Sequence, residues 1–278
     1  MLLRLLIILI VAGGVVGGSA YFAYELFWKS KSLDKLEHEK IEIQAELPPP
    51  PHPGIAAFTA VAEIVKAGNS QASREALEAF LGDYPDAPDI AEVRRALGEL
   101  NARAFFSPLP GEGKTTYTVV KGDALARIAN KTNSGAELIY TVNQLDTINL
   151  QIGQILQVPE LDIKVSVNRK NKTLTVTSHG KFFREYPLLG ALVPRLPDDG
   201  TLEATVSEKI ATVAGKRVSF GEKTYPESER IVQLAPGGAV LRTVGSDGDA
   251  SAQGIFLSSG DFHEVFVLVN RGTPITIQ

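Results

Sequence analysis

The fold of this chain is decided by residues 117–159, which read YTVVKGDALARIANKTNSGAELIYTVNQLDTINLQIGQILQVP. The β-branched and aromatic residues at the start and the Leu-x-Val-Pro at the end predict two short strands. Between them, apolar residues at helical spacing predict two helices, the first after a turn that Gly122 permits and Asp123 caps. The stretch predicts a βααβ unit near the lower size limit for folding without disulfides.

The second helix of this unit opens at residues 134–137 with Ser-Gly-Ala-Glu, a sequence typical of a capping box. Leu138 and Val142 follow with a spacing of four residues, which places them on one helix face. We expect this face to pack into the core of the βααβ unit.

The motifs of the stretch resemble the LysM family from end to end: Tyr-Thr-Val, Gly-Asp-x-Leu, Ile-Ala, Leu-x-x-x-Asn-x-Leu and Gly-Gln-x-Leu-x-Val-Pro. The resemblance implies a module at residues 116–160 that binds N-acetylglucosamine-containing glycans, above all peptidoglycan, in a shallow groove. It implies these glycan-binding residues: Gly122, Asp123, Ala124, Leu125, Ile148, Leu150 and Ile152. Ala124 stands where the family usually has Thr or Ser, so a hydrogen bond worth about 0.5–1.5 kcal/mol would be missing. The alternative is that Gly122, Asp123 and Leu125 only build the turn and the helix cap.

Composition restricts the class of function. The chain has 278 residues with 28 Lys+Arg against 32 Asp+Glu, so it lacks the basic excess of a nucleic-acid-binding protein. It has no cysteine, which excludes disulfides, thiolate metal sites and thiol catalysis. Its four histidines form no HxxxH or HExxH pair, so the sequence predicts no metal site and no cofactor.

The first fifty residues predict attachment to a membrane. Residues 5–24 carry no charge and as a helix would match the roughly 30 Å hydrocarbon core of a bilayer. We expect residues 1–30 to be a single-pass signal anchor in the inner (cytoplasmic) membrane, with the C-terminal domains on the periplasmic or cell-wall side. Gly-Ser-Ala at 18–20 also resembles a cleavage site, so a cleaved signal peptide remains an alternative. Residues 31–53 predict a charged stalk and a proline-rich linker.

Residues 54–106 show three apolar stripes at helical spacing, separated by turn signals at 68–70 and 83–88. They predict a small helical bundle, and the phrase LEAFLGDYPDAP resembles a tetratricopeptide repeat. Such arrays need about three repeats, so we expect a spacer or a docking surface for an envelope protein. A linker follows at 107–115.

The last part, residues 161–278, predicts a mainly-β domain. Its alternating apolar runs lie at 163–167, 174–176, 183–188 and 265–269. Three pieces resemble, in order, the L,D-transpeptidase (YkuD-like) domain: VSVNRKNKTLTVTSHGKFFREYPLLGA, an Asp-Gly-Thr turn, and GIFLSSGDFHEVFVLVNRGTPITI. For residues 261–267 the resemblance implies a helix instead of a strand.

The reactive residues of that family are absent. The family forms an acyl-enzyme through a Cys thiolate beside a His and an Arg. At the corresponding positions this chain has Ile255 for the Cys, Leu257 for the Arg and Arg242 for the His, so we predict no catalytic residue. A serine-type arrangement can still be written from residues that are close in sequence: Ser258, Ser259, Asp261 and His263.

The fold class expected is a multidomain α+β chain with a transmembrane helix, a helical bundle, a βααβ LysM unit and a degenerate transpeptidase-like β domain. The function expected is non-catalytic binding of peptidoglycan as a membrane-anchored tether or scaffold. Two alternatives remain open. One is an active cell-wall transferase or hydrolase with a serine nucleophile, and the other is a structural assembly protein that docks partners through its bundle.

Overall fold

The computed structural model describes residues 51–193, 196–197, 199–244 and 253–278. The predicted anchor at 1–30 and nearly all of the predicted stalk lie outside these ranges. No helix within them is long and apolar enough to cross a membrane. Pro53–Gln278 form one compact unit, which is the part described below.

The three helices predicted between residues 54 and 106 are present as α1 Pro53–Lys66, α2 Ser70–Asp83 and α3 Ile90–Phe105. Asn69 caps α2, because its side chain accepts hydrogen bonds from the N–H groups of Gln71 and Ala72. The core between the helices contains these buried residues: Val61, Leu77, Phe80, Ala87, Val93 and Leu97.

The predicted βααβ unit is also present, and its elements are β1 Lys114–Thr118, α4 Leu125–Thr132, α5 Ala136–Val142 and β2 Ile155–Pro159. The two strands pair antiparallel, with Lys114 opposite Pro159 and Thr118 opposite Ile155. Their shared core contains these buried residues: Val119, Leu125, Ile128, Ala129, Ile139, Leu156 and Val158.

The predicted capping box at the start of α5 is wrong. The N-cap is Gly135, and no side-chain hydrogen bond caps the helix. Glu137 turns away from the helix end, and its carboxylate accepts a hydrogen bond from the Tyr225 hydroxyl at 2.6 Å. Glu137 therefore pairs with the C-terminal domain instead of the end of its own helix.

The face of α5 that carries Leu138 and Val142 does not pack into the βααβ unit, contrary to expectation. Both side chains are fully buried in the core of the C-terminal domain, whereas Ile139 is fully buried in the core of the βααβ unit. Since these residues lie on two sides of one helix, α5 belongs to both cores at once.

The C-terminal domain is built on a ten-stranded sheet in the order β5-β4-β3-β12-β7-β9-β10-β11-β6, with β8 paired to β7. Its strands are β3 Ile163–Asn168, β4 Thr173–Ser178, β5 Lys181–Pro187, β6 Gly190–Leu192, β7 Leu202–Val213, β8 Lys216–Arg217, β9 Glu229–Ala235, β10 Val240–Thr243, β11 Gly254–Leu257 and β12 Pro274–Ile277. The pairs β3–β12 and β10–β11 are parallel, and the other pairs are antiparallel. The mainly-β character predicted for this region is confirmed.

The strand expected at 265–269 is instead part of helix α6, Ser259–Leu268, as the family resemblance implied. Val265 and Val267 are both buried, although they would lie on different sides of the helix. A helix that is enclosed on several sides carries apolar residues without a single helical period, and this explains why its sequence looks like a strand.

The helical bundle packs on the strand β5 at one edge of this sheet. Asn101 on α3 donates hydrogen bonds to the carbonyls of Phe182 and Phe183 at 3.2 and 3.1 Å. Arg94 forms an ion pair with Glu185 at 3.1 Å. The bundle therefore covers an edge strand that would otherwise present unpaired backbone groups.

The shared helix α5 leads to a prediction about folding. Replacing Leu138 with Ala should reduce the free energy of unfolding by about 2–5 kcal/mol, because it empties a fully buried site. The loss should appear in the sheet as well as in the βααβ unit. Urea unfolding measures the loss of stability. Hydrogen exchange of the backbone amides in β3 and β12 measures how much of this loss reaches the sheet.

The matched control is Leu189→Ala, since Leu189 is 53% exposed and its loss should change stability by no more than about 0.5 kcal/mol. If exchange in β3 and β12 stays at the parent rate in the Leu138 variant, the shared-core account is wrong.

Candidate functional site

The turn between β1 and α4 is built around the side chain of Asp123. Its carboxylate accepts hydrogen bonds from the backbone N–H of Val120 at 3.0 Å and from the Tyr117 hydroxyl at 2.8 Å. Lys131 Nζ lies 3.2 Å from the same group. Gly122 has φ +87°, a left-handed conformation that glycine adopts without strain. The Asp123 side chain is only 2% exposed, so it fixes the shape of the turn.

Asp123 does not cap α4, contrary to the sequence prediction. The N-cap is Ala124, which makes no side-chain cap hydrogen bond, because the Asp123 carboxylate turns back toward β1. The hydrogen bond from the N–H of Val120 is the largest cause of a lowered pKa at Asp123, and Tyr117 and Lys131 add to it. The carboxylate is therefore charged at neutral pH.

The other predicted residues of the turn differ in what they offer a ligand. Leu125 is 4% exposed and belongs to the core of the βααβ unit, so a sugar could reach it only if that core opened. Gly122 and Ala124 are exposed and can line a groove with backbone and methyl groups.

The loop before β2 lies against this turn, because the carbonyl of Val119 accepts a hydrogen bond from the N–H of Gly153 at 2.8 Å. In the loop, Ile152 is 72% exposed and Ile148 43% exposed. Leu150 is half-buried against the core of the unit. The structure thus brings the predicted turn and loop together, but it leaves only part of the predicted set open to a ligand.

Three apolar side chains near the turn and the loop are more than half exposed: Val120 at 52%, Ile152 at 72% and Ile155 at 66%. We call them the apolar rim. Sequence reasoning missed Val120 and Ile155. The available signal was strand alternation, because Ile155 precedes the buried Leu156 and neighbouring strand residues point to opposite faces.

The C-terminal domain reaches the edge of this groove. A Cβ on Gly221 would lie 3.0 Å from Cδ1 of Ile148, so the loop at Gly221 packs against the groove loop. Beside it, the rings of Tyr140 and Phe220 meet edge to face at 5.4 Å. Ile148 is therefore a contact between the two domains as well as a residue of the candidate groove.

A charged cluster lies between α5 and the sheet domain. Arg230 is 3.1 Å from Glu137 Oε1 and 3.1 Å from His263 Nδ1. Burial lowers the pKa of His263, and it lowers the pKa of Lys209 to about 8. Lys209 Nζ lies 4.3 Å from the Phe266 ring centroid. Lys209 and Arg230 thus have partners within the fold.

The two residues that the sequence resemblance placed at the transpeptidase nucleophile and arginine are apolar and enclosed. Ile255 and Leu257 lie on β11 and are 0% exposed. The Ser258 hydroxyl donates to Asp261 Oδ2 at 2.7 Å and also caps α6, while His263 Nδ1 faces Arg230. In the serine-type alternative, the Ser258 hydroxyl is therefore hydrogen-bonded to the Asp261 carboxylate instead of a histidine. The Nδ1 atom of His263 contacts the Arg230 guanidinium. Within the described ranges, no group of acidic, His or Cys residues could hold a metal ion.

Comparison with known proteins confirms the assignment of the βααβ unit. Residues 117–159 match the family model of the LysM domain. No curated protein matches the chain.

Solved structures similar to the chain include L,D-transpeptidases. L,D-transpeptidase 3 from Mycobacterium tuberculosis is 14% identical with a TM-score of 0.31, and the match covers 63% of this chain and 99% of that one. The enzyme from Mycobacterium smegmatis is 14% identical with a TM-score of 0.30, over 59% and 90%. The enzyme from Stackebrandtia nassauensis is 15% identical with a TM-score of 0.31, over 42% and 55%. At these scores the similarity assigns neither fold nor activity to this chain.

The Asp123 turn gives a prediction that depends on pH. Asp123→Asn should lower the free energy of unfolding at neutral pH. The pKa of Asp123 in the folded protein lies below its ordinary value of 3.8. The stability that the Asp123 carboxylate provides is therefore complete at pH values above 3.8. It is lost as the pH falls through the folded pKa. Urea unfolding of parent and variant across the acid range measures the difference.

Asp146→Asn is the matched control, because Asp146 is exposed in the loop before β2. A difference for Asp123→Asn that stays constant down to the lowest pH would show that the charge of Asp123 does not hold the turn.

Proposed function

We propose that this chain, with its LysM domain at residues 117–159, binds the glycan strands of peptidoglycan and acts as a non-catalytic tether or scaffold of the bacterial cell envelope. The observation that carries the proposal is the apolar rim beside the turn at Gly122 and the loop at Ile152. Residues 5–24 would anchor the chain in the membrane, with the remaining domains toward the wall.

The rim suits a sugar chain. The domain is small, so it needs nearly all its apolar side chains for its core. Three that remain exposed side by side indicate a contact surface. Sugar rings present C–H faces that pack on such side chains, and their hydroxyl groups need polar partners. Exposed polar side chains lie within three residues of the rim in sequence: Thr118, Asn149 and Gln151.

For the C-terminal domain we propose a transpeptidase-like fold that no longer catalyses. The support is chemical: the aliphatic side chains of Ile255 and Leu257 cannot attack a carbonyl, and both are enclosed in the core. Ser258 is held by Asp261 and not by a base that could activate it.

A single open groove should bind weakly, with a Kd near the upper micromolar range, about −5 to −6 kcal/mol. Attachment to the membrane would hold the groove close to the wall and raise its effective concentration. Weak binding at the groove is therefore compatible with stable tethering.

Charges placed on the rim test this proposal. Ile152→Asp and Ile155→Asp should each reduce co-sedimentation of the full chain, in mild detergent, with purified sacculi. We expect a loss of about tenfold in apparent affinity, since the substitution removes an apolar contact and adds a carboxylate that must lose water. Leu125 is unsuitable for this purpose, because Leu125→Asp would place a charge in the core.

The control is Leu189→Asp, at a residue that is 53% exposed and lies outside the LysM domain. Equal binding by parent, rim variants and control would reject the groove. Absence of binding by the parent would favour the structural assembly role, and new peptide cross-links made by the parent would favour the enzyme.

A further inference from the structure

A second candidate site lies outside the LysM groove. A cavity of about 660 Å³ opens where the helical bundle, the linker and the β4–β5 hairpin meet. Sites for small ligands typically enclose about 300–1,000 Å³. Residues from α2, α3 and β5 all line this cavity, so it exists only because the bundle docks on the sheet.

The lining of this cavity carries excess positive charge. Four cationic side chains line it: Arg74, Arg103, Lys114 and Lys181. Two carboxylates, Glu78 and Glu112, oppose them. Because cations outnumber carboxylates, the cavity favours an anionic ligand.

One of the two carboxylates already occupies a position suited to such a ligand. Glu112 Oε1 lies 3.0 Å from Lys181 Nζ, and Glu112 Oε2 lies 3.5 Å from Arg74. The ion pair with Lys181 is the largest cause of a lowered pKa at Glu112. Glu112 stands on the linker between Gly111 and Gly113, and its side chain is 67% exposed. It can therefore leave when another carboxylate arrives.

Arg74 has capacity to bind a further acceptor. Its ion pairs with Glu78 and Glu112 are long, at 3.9 and 3.5 Å. A guanidinium prefers to meet a carboxylate with two parallel hydrogen bonds. The contacts of Arg74 in this structure fall short of that arrangement.

The remaining lining is largely apolar. Leu100, Phe105, Phe182 and Phe183 contribute to the cavity wall, and the rings of Phe105 and Phe183 meet edge to face at 5.3 Å. A ligand that satisfies both features has a carboxylate next to aliphatic groups. A short peptide with a free carboxylate has this chemistry.

We propose that the cavity between the bundle and the β4–β5 hairpin binds the free carboxylate of a short peptide, which displaces Glu112 from Arg74 and Lys181. Glu112 then acts as an internal competitor that lowers the apparent affinity, so the site fills only where the peptide is concentrated. Wall peptides are the favoured source, and only this choice of source rests on the proposed function.

Binding of fluorescent tetrapeptides to the full chain tests the proposal by anisotropy. The probes are peptides released from sacculi by an amidase, a synthetic Ala-Ala-Leu-Glu peptide with free carboxylates, and the same synthetic peptide with its carboxylates amidated. We expect Glu112→Gln to tighten binding of free carboxylates severalfold, and Arg74→Gln or Lys181→Gln to weaken it about tenfold.

The matched controls are Glu99→Gln and Arg95→Gln on α3, which make the same charge changes at exposed residues outside the cavity. They should leave binding unchanged. Thermal unfolding by circular dichroism verifies the fold of each variant, and the Lys181 variant, whose side chain is 66% exposed, provides the test if Arg74→Gln unfolds.

Equal binding of the amidated probe, or weaker binding by Glu112→Gln, would overturn the carboxylate site. Binding of the synthetic peptide without the wall peptides would overturn the wall source alone. These probes contain no glycan, so their outcome is independent of the rim variants that test the LysM groove.

Discussion

The architecture depends on one short helix that two cores share. A helix of the length of α5, Ala136–Val142, is unstable by itself in water, so its side chains must pack on both sides. Ile139 fills the LysM core, and Leu138 and Val142 fill the core of the sheet domain. Because neither core is complete without α5, the LysM domain is set at a fixed orientation to the sheet. The LysM domain is thus part of one compact unit, Pro53–Gln278.

Polar contacts around α5 reinforce that orientation. Glu137 is nearly buried, and a buried carboxylate is stable only when it is paired and hydrogen-bonded. Both partners come from the other domain: the hydroxyl of Tyr225 at 2.6 Å and the guanidinium of Arg230 at 3.1 Å. Asn270 of the sheet domain also donates, to the carbonyl of Ser134 at 3.2 Å. Separation of the domains would expose apolar surface and also leave Glu137 without its partners.

The sequence was sufficient to predict those elements that depend on a local pattern of residues. It was insufficient to predict features that depend on contacts between distant segments. The βααβ unit and the three bundle helices could be predicted because strand composition, helical spacing and turn residues are local. Spacing placed Leu138 and Val142 on one face but could not tell which core that face meets. Capping rules failed at Asp123 and Glu137, whose carboxylates have better partners at β1 and in the sheet domain. The run at 265–269 looked like a strand because its helix is enclosed on several sides.

Apolar side chains in the LysM domain and in the sheet domain have opposite placements. In the sheet domain, Ile255 and Leu257 on β11 are completely enclosed and add to packing. In the LysM domain, Val120, Ile152 and Ile155 stay in water although the domain is small and its core needs apolar area. Exposure of this kind lowers stability and solubility unless a ligand covers it. The enclosed side chains of the sheet domain therefore stabilise its core, whereas the exposed side chains of the LysM domain leave an apolar surface that a ligand can cover.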